Sequence, residues 1–398
     1  MKLKTIDQIK NISGKRVLLR LDLNVPLNKQ TKVDRHGDWR LDRAVPSIKY
    51  LLKQKAKVII VAHLGRPKGQ ADPKLSLLPV SQALSKKLKQ DIEFWADDFR
   101  DYEEDSHDMN KGSVAMLENI RFEPREKLNC KRLAKAMAKL GDIYVNDAFG
   151  NLHRADSSME AITNYLPAYA GFLIRDEIEH LSEVLSIKKG LVIIFGGAKA
   201  ATKIKLIKKF SKKAGNELTG GAVANTILKA SGYGIGKSLF DKDSIKLSKE
   251  LLGTIVEMPL DAAVASSFKA KQRKIVTVAE VAKNEMILDI GPETLNQYTD
   301  ILAKAKLVIW NGPFGYFENP IYIKGSKQIM QTLIKSKAKV ILGGGETVEL
   351  AQKLKLDKQF HFISTGGGAM LTFLGGAKLP ALDKLSASRK SKVKKLKV

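Results

Sequence analysis

The chain has 398 residues, 44% hydrophobic and 28% charged, which fits two folded domains and excludes a disordered chain. Its one cysteine, Cys130, excludes a disulfide framework or a cysteine-rich zinc site, and no apolar run reaches the ~20 residues of a membrane span. The 69 Lys+Arg against 42 Asp+Glu give a net charge of +27, which suits an anionic partner: nucleic acid, a membrane surface or a phosphorylated metabolite.

Short apolar runs recur at Val17–Leu21, Val58–Ala62, Val114–Leu117, Ile143–Val145, Leu191–Phe195, Ile275–Val278, Leu307–Trp310 and Val340–Leu342. Amphipathic stretches such as Ser47–Lys53, Pro79–Lys89, Lys131–Leu140 and Lys203–Lys212 separate many of them. Apolar strands alternating with helices predict an α/β protein whose parallel sheets are covered on both faces. Near Gly171 the pattern changes. Ile174, Ile178, Leu181 and Leu185 fall at helical spacing and Gly190 ends the run, so one helix over 172–189 is expected to join a domain of 1–171 to a domain of 190–370. The start, MKLKTIDQIKNISGKRVLL, lacks the apolar core of a secretory signal, and a cytoplasmic location is expected.

Ligands of such sheets gather beyond the carboxyl ends of the strands. In the first half those ends carry Asp22-Leu23-Asn24, His63-Leu64-Gly65-Arg66, Glu118-Asn119-Ile120-Arg121 and Asn146-Asp147, then His153-Arg154, while Arg40 precedes a predicted helix. Arginine forks grip phosphate and carboxylate, and Asp22 and Asn24 suit hydroxyls, so a small polyanion is the expected ligand. Twelve of 14 arginines lie at or before Arg175, whereas 22 of 30 glycines lie at or after Gly190. The second half is accordingly read as holding anions by backbone N–H groups. Its strand ends carry Gly196-Gly197-Ala198-Lys199 with Lys203 one turn on, Asn311-Gly312 through Glu318, Gly343-Gly344-Gly345-Glu346-Thr347, and Gly366-Gly367-Gly368. Ser231–Ser238 imitates a P-loop, but Ser231 takes the first glycine position and a helix precedes it.

The segments LRLDLNVPL, VAHLGRP, LENIRF, VNDAFGNLHRADSSM, FGGAKAATKI, LDIGPET, VIWNGPFGYFE, ILGGGETVEL and STGGGA together resemble the phosphoglycerate kinase family over nearly the whole chain. The resemblance implies two doubly wound (Rossmann-like) domains joined by an interdomain helix, with the C-terminal segment 371–398 returning to the first domain. It implies reversible phosphoryl transfer between 1,3-bisphosphoglycerate and MgADP, giving 3-phosphoglycerate and MgATP, by hinge closure of a monomer. Asp22, Leu23 and Asn24 resemble the family's substrate-hydroxyl loop; Arg40, His63, Leu64, Gly65, Arg66, Arg121 and Arg154 resemble its phosphoglycerate pocket. Arg40 and Lys199 correspond to the cations nearest the transferred group, and Gly344 and Gly367 to its backbone donors. Lys203, Asn311, Glu318 and Gly344 through Thr347 resemble the nucleotide site, where Glu346 is the expected partner of Mg²⁺.

Four positions depart from the family's pattern. Thr202 and Glu346 stand where aspartates are usual, Asp156 replaces a histidine and Met370 a serine, so altered metal or nucleotide affinity is expected. Two other readings remain at this point. One is a weakened homologue that binds nucleic acid through its basic surface and the tail 384–398, which carries seven basic residues and no acidic one. The absence of an aromatic-studded basic face or RNA-module signature argues against nucleic acid as a partner. The other is a kinase of a different carboxylate substrate, against which the retained Asp22, Asn24 and pocket arginines argue.

Overall fold

The computed structural model describes residues 2–28, 30–34, 38–211 and 214–386. The basic tail lies outside the described residues from position 387 on. Two compact units result: the chain up to Glu179 together with the chain from Lys378, and His180–Ala377. No helix among the described residues is long and apolar enough to cross a membrane.

In the first unit, β1 (Arg16–Leu21), β2 (Lys57–Val61), β3 (Glu93–Trp95), β4 (Val114–Leu117), β5 (Ile143–Asp147) and β6 (Ala168–Ala170) form one sheet in the order β3-β4-β2-β1-β5-β6. Every pairing is parallel. Helices α1 (Asp38–Lys53), α2 (Leu78–Leu88), α3 (Glu103–Asp108) and α4 (Lys131–Met137) join the strands, and α5 (Phe172–Ser186) leads out of the unit. Both faces of β1, β2, β4 and β5 are buried beneath these helices, which explains their unbroken apolar runs. The order reverses between β1 and β5, so the carboxyl ends of β1, β2, β4 and β5 flank one crevice.

Helix α1 starts earlier than the amphipathic stretch Ser47–Lys53 suggests. The sequence pattern placed Arg40 ahead of a helix beginning at Ser47, but Arg40 sits in the first turn of a helix that carries Pro46 inside it. Leu41, Ala44, Ile48 and Leu51 are all buried along one face, and that burial outweighs the hydrogen bond a proline forfeits. The described C-terminus completes this unit. Short helix α13 (Pro380–Asp383) buries Leu379, Ala381, Leu382 and Leu385, Lys4 N–H donates to the Leu385 carbonyl at 3.0 Å, and Leu3 bridges to Ser386.

In the second unit, β7 (Leu191–Phe195), β8 (Asn216–Thr219), β9 (Val256–Glu257), β13 (Leu307–Asn311), β14 (Lys339–Gly343) and β15 (Phe362–Ile363) form a second parallel sheet, ordered β15-β14-β13-β7-β8-β9. Its helices are α6 (Ala200–Phe210), α7 (Gly221–Ala230), α8 (Ile245–Lys249), α9 (Pro292–Leu302), α10 (Lys324–Lys335), α11 (Gly345–Lys353) and α12 (Gly367–Leu374). The switch point here lies between β7 and β13. The run Ile275–Val278 does not join this sheet. It forms most of β11 (Lys274–Thr277), paired antiparallel with β10 (Asp261–Ala265), which pairs in turn with β12 (Met286–Ile290). Ile275 is exposed and only Val276 in β11 is buried, so an apolar run of four gave no clue to strand direction.

One buried group opposes stability. Glu217 in β8 is wholly buried, and neither carboxylate oxygen has a hydrogen-bond partner among the described residues. Burial pushes its carboxyl up to about 8. The unfolded chain releases this proton near the ordinary glutamate value, so stability is lost as pH rises from that value toward 8, by an amount on the order of 2–4 kcal/mol. Glu217→Leu should therefore raise the melting temperature, and the gain should be larger at pH 8 than at pH 5. Calorimetry at the two pH values checks this, and an equal gain at both would contradict it.

Candidate functional site

In the first unit, four strand ends and α1 hold a cluster of hydrogen-bonding side chains. Arg40 Nη1 donates to Asp22 Oδ2 at 2.9 Å, and Asn24 Oδ1 accepts from Gly65 N at 2.9 Å. Asn119 organises the middle: its Oδ1 accepts from Leu64 N and Arg121 N, and its Nδ2 donates to the Leu64 and Leu75 carbonyls. Arg121 Nη1 then donates to the Gly65 carbonyl at 2.9 Å. The side chains of Leu23 and Leu64 are in the core, so only their backbone is available to a ligand. Arg66 is exposed and Arg154 half-buried beside His153. Asn146 and Asp147 serve the fold instead. Asn146 Oδ1 accepts from Ala148 N, and buried Asp147 accepts from Ile174 N at 3.1 Å, tying β5 to the first turn of α5.

His63 contributes a donor rather than a charge. Burial, reinforced by Arg20, Arg154 and Arg40, holds its imidazole well below the ordinary histidine value, so it is neutral at pH 7. Its Nδ1 lies 2.9 Å from Arg20 Nη2, and a guanidinium can only donate, which leaves the ring proton on Nε2. Arg20 itself is wholly buried inside β1. It donates through Nε to Ser158 Oγ at 2.9 Å, and Ser158 donates in turn to Glu126, whose carboxyl burial raises to about 7. Sequence reasoning missed this His63–Arg20–Ser158–Glu126 chain. A charged residue inside an otherwise apolar strand was the signal that could have found it.

In the second unit the turns after β7 and β13 meet backbone to backbone. Gly196 N donates to the Asn311 carbonyl at 3.0 Å and Gly197 N to the Pro313 carbonyl at 2.7 Å. A Cβ on Gly196 would lie 2.2 Å from the Pro313 oxygen, and Gly312, at φ +96°, would push one to 2.6 Å from Lys203 Nζ. Glycine is required at both positions. Thr347 Oγ1 accepts from Gly312 N at 2.7 Å, adding the turn after β14 to the same corner.

Lys203 is buried there with its ammonium on the Gly196 carbonyl. Burial lowers it to about 8, with the Glu346 carboxylate opposing and Lys199 assisting. Gly344, at φ +87°, is the N-cap of α11, and Gly367 starts α12 so close by that a Cβ on it would lie 3.1 Å from Gly344 Cα. Two helix N-termini thus present their first-turn N–H groups to one place. The Asn311 amide adds to the surplus: its Nδ2 is buried beside Gly344 and has no partner among the described residues. The Asn311 amide, the N–H groups at the two helix starts and a lysine make this corner an anion site.

An apolar cleft opens from the same corner. Ala198, Ala222, Leu239, Phe268, Met286 and Leu288 line it, with Phe314 through Glu318 along one wall and Glu346 at the glycine end. Leu239 and Phe268 are exposed although apolar, which leaves them open to a flat hydrophobic group. Glu318 is exposed at the cleft, and Lys199 is exposed at the start of α6. Gly221, Ala222, Asn225, Leu239, Phe268, Met286 and Ile287 line the cleft from outside the quoted segments, and they come from α7, β12 and the connections between elements.

The departures have distinct surroundings. Met370 is buried under Gly343, where a Cβ would meet its methyl at 2.3 Å, so it supports the glycine turn by packing. Asp156 is buried with Oδ2 3.8 Å from Arg121 Nη2, and burial raises its carboxyl. Thr202 is exposed on α6. Glu346 reaches the Gly197–Lys203 corner, a hard oxygen donor beside an anion site and hence the residue there that suits a magnesium ion.

These two sites can be set beside known proteins. The family model described as phosphoglycerate kinase matches residues 6–377. A phosphoglycerate kinase of Pelotomaculum thermopropionicum is 39% identical over 391 residues, covering 96% of this chain and 98% of that one. One of Pseudothermotoga lettingae is 40% identical over 400 residues, covering 98% and 100%. The solved phosphoglycerate kinases of Coxiella burnetii and Pyrococcus horikoshii superpose with TM-scores of 0.84 and 0.85 at 36% and 32% identity, each over 96% of this chain and 98% of its own. With matches across nearly its full length, this chain belongs to the phosphoglycerate kinase family.

Proposed function

We propose that the first unit binds the phosphoglycerate and the second the nucleotide, in the family's reversible transfer of a phosphoryl group from 1,3-bisphosphoglycerate to MgADP. The observation that carries the assignment is the donor-rich corner at Gly344, Gly367 and Asn311, which opens into an apolar cleft. A nucleotide has that shape: a flat base for Leu239 and Phe268, a ribose toward Glu318, and phosphates for Lys203 and the helix starts. In the first unit, Arg40, Arg121 and Arg154 supply charge for a phosphate and a carboxylate, while Asp22, Asn24 and the Nε2–H of His63 direct the small polar groups.

Phosphoryl transfer asks little covalent chemistry of a protein and much alignment and charge neutralisation. In this reading hinge closure brings Arg40 and Lys199 to the transferred group, and the N–H groups at Gly344 and Gly367 take its equatorial oxygens. Glu346 would hold a magnesium ion beside the nucleotide phosphates, and the ion would supply further charge neutralisation there. The chain is taken to act as a cytoplasmic monomer.

A coupled assay of ATP-dependent 3-phosphoglycerate phosphorylation tests the assignment. Arg40→Ala should lower kcat at least a hundredfold while leaving MgADP affinity within twofold; an undiminished rate would overturn the role of Arg40. Because Lys203 titrates near 8, its charge fades above that pH. The KM for nucleotide should therefore climb between pH 7.5 and 9 with little change in that for 3-phosphoglycerate, and a flat profile would contradict the phosphate role of Lys203. Glu346→Gln should raise the Mg²⁺ concentration needed for half-maximal rate severalfold, as read from a magnesium titration at fixed ATP.

A further inference from the structure

Helix α5 continues past Glu179 into the second unit, where its C-terminal half lies against the β15 edge of the sheet. His180 and Glu183, three residues apart, leave the same face of that helix. The His180 ring packs on Phe362 of β15 with centroids 4.1 Å apart, and meets the ring of His361 edge-on at 5.1 Å. Glu183 Oε1 lies 2.6 Å from Lys339 Nζ at the start of β14. One nitrogen from each imidazole and one Glu183 oxygen lie within 4.8 Å of one another.

We propose that His180, Glu183 and His361 form a binding site for a divalent transition-metal ion, zinc in the first place, distinct from the magnesium that accompanies the nucleotide. Two imidazoles and a carboxylate are the mixed nitrogen–oxygen set that borderline ions take, whereas magnesium favours oxygen alone. Ligands ~2.0–2.1 Å from a tetrahedral zinc lie roughly 3.3 Å apart, so the three groups must draw inward by an ångström or so. His361 is exposed and Glu183 partly so, and side-chain rotation can supply that movement while Phe362 holds His180 in place. Three protein ligands leave a coordination position for water or a small anion. The ion would clip the end of α5 to the sheet edge.

Lys339 gives the proposal its sharpest test, because its ammonium and the metal share one carboxylate. Zinc chloride is titrated calorimetrically into the full chain in excess magnesium. One equivalent should bind, and the melting temperature should rise. Removal of an exposed side chain in His361→Ala should leave the metal-free melting temperature and the phosphoryl-transfer rate unchanged, yet weaken zinc at least tenfold. Lys339→Met should tighten zinc severalfold. With Co²⁺ as the probe, visible absorption bands should develop in the wild type and not in His361→Ala. Zinc affinity unchanged in His361→Ala, or weakened in Lys339→Met, would overturn the site without touching the kinase assignment.

Discussion

The second unit depends on the close approach of two turns at the switch point of its sheet. Parallel strands send every carboxyl end to one edge, and between β7 and β13 the turns diverge to opposite faces and leave a crevice. Here the crevice is narrowed until Gly196 and Gly197 hydrogen-bond directly to the Asn311 and Pro313 carbonyls. Side chains are excluded by that contact, so Lys203 is the ammonium held inside, and burial lowers its proton affinity. Helix starts at Gly344 and Gly367, the Asn311 amide and the apolar cleft all border this corner.

The first unit meets the same demand by a different means. Its charges come from arginine side chains that cannot lose their protons. Long side chains require bracing, and the bracing is polar and buried. Asn119 holds two strand ends together, while Arg20, Ser158 and Glu126 fix the neutral tautomer of His63. Such a chain is costly to bury unless fully paired. Here Arg20 has four acceptors within reach, so the cost is offset.

Much of this was legible in the sequence where one residue type has one use. Fully apolar strands gave parallel sheets, and paired or tripled glycines after β7, β14 and β15 marked the turns that border the anion corner. Arg40, Arg121, Lys203 and Thr347 all stand at the strand-end corners that their positions after strands or near helix starts predict. What escaped was set by tertiary packing. Arg40 was expected ahead of a helix and lies in its first turn, with Pro46 in the helix interior; Ile275–Val278 read as one more parallel strand and is antiparallel. Arg20 was hidden in an apolar run, and the cleft residues Leu239, Phe268 and Met286 share no local pattern. The excess of lysine explains none of these features.

The central claim is that two separate anion sites, one built of arginines and one of backbone, divide the two substrates between them. Calorimetric titration of 3-phosphoglycerate and of MgADP into Arg154→Ala and into Gly312→Ala tests it most directly. Arg154→Ala should lose 3-phosphoglycerate binding at least tenfold and keep MgADP, while Gly312→Ala, with a Cβ driven toward Lys203, should do the reverse. If either variant lost the other unit's ligand instead, the division of labour would be contradicted.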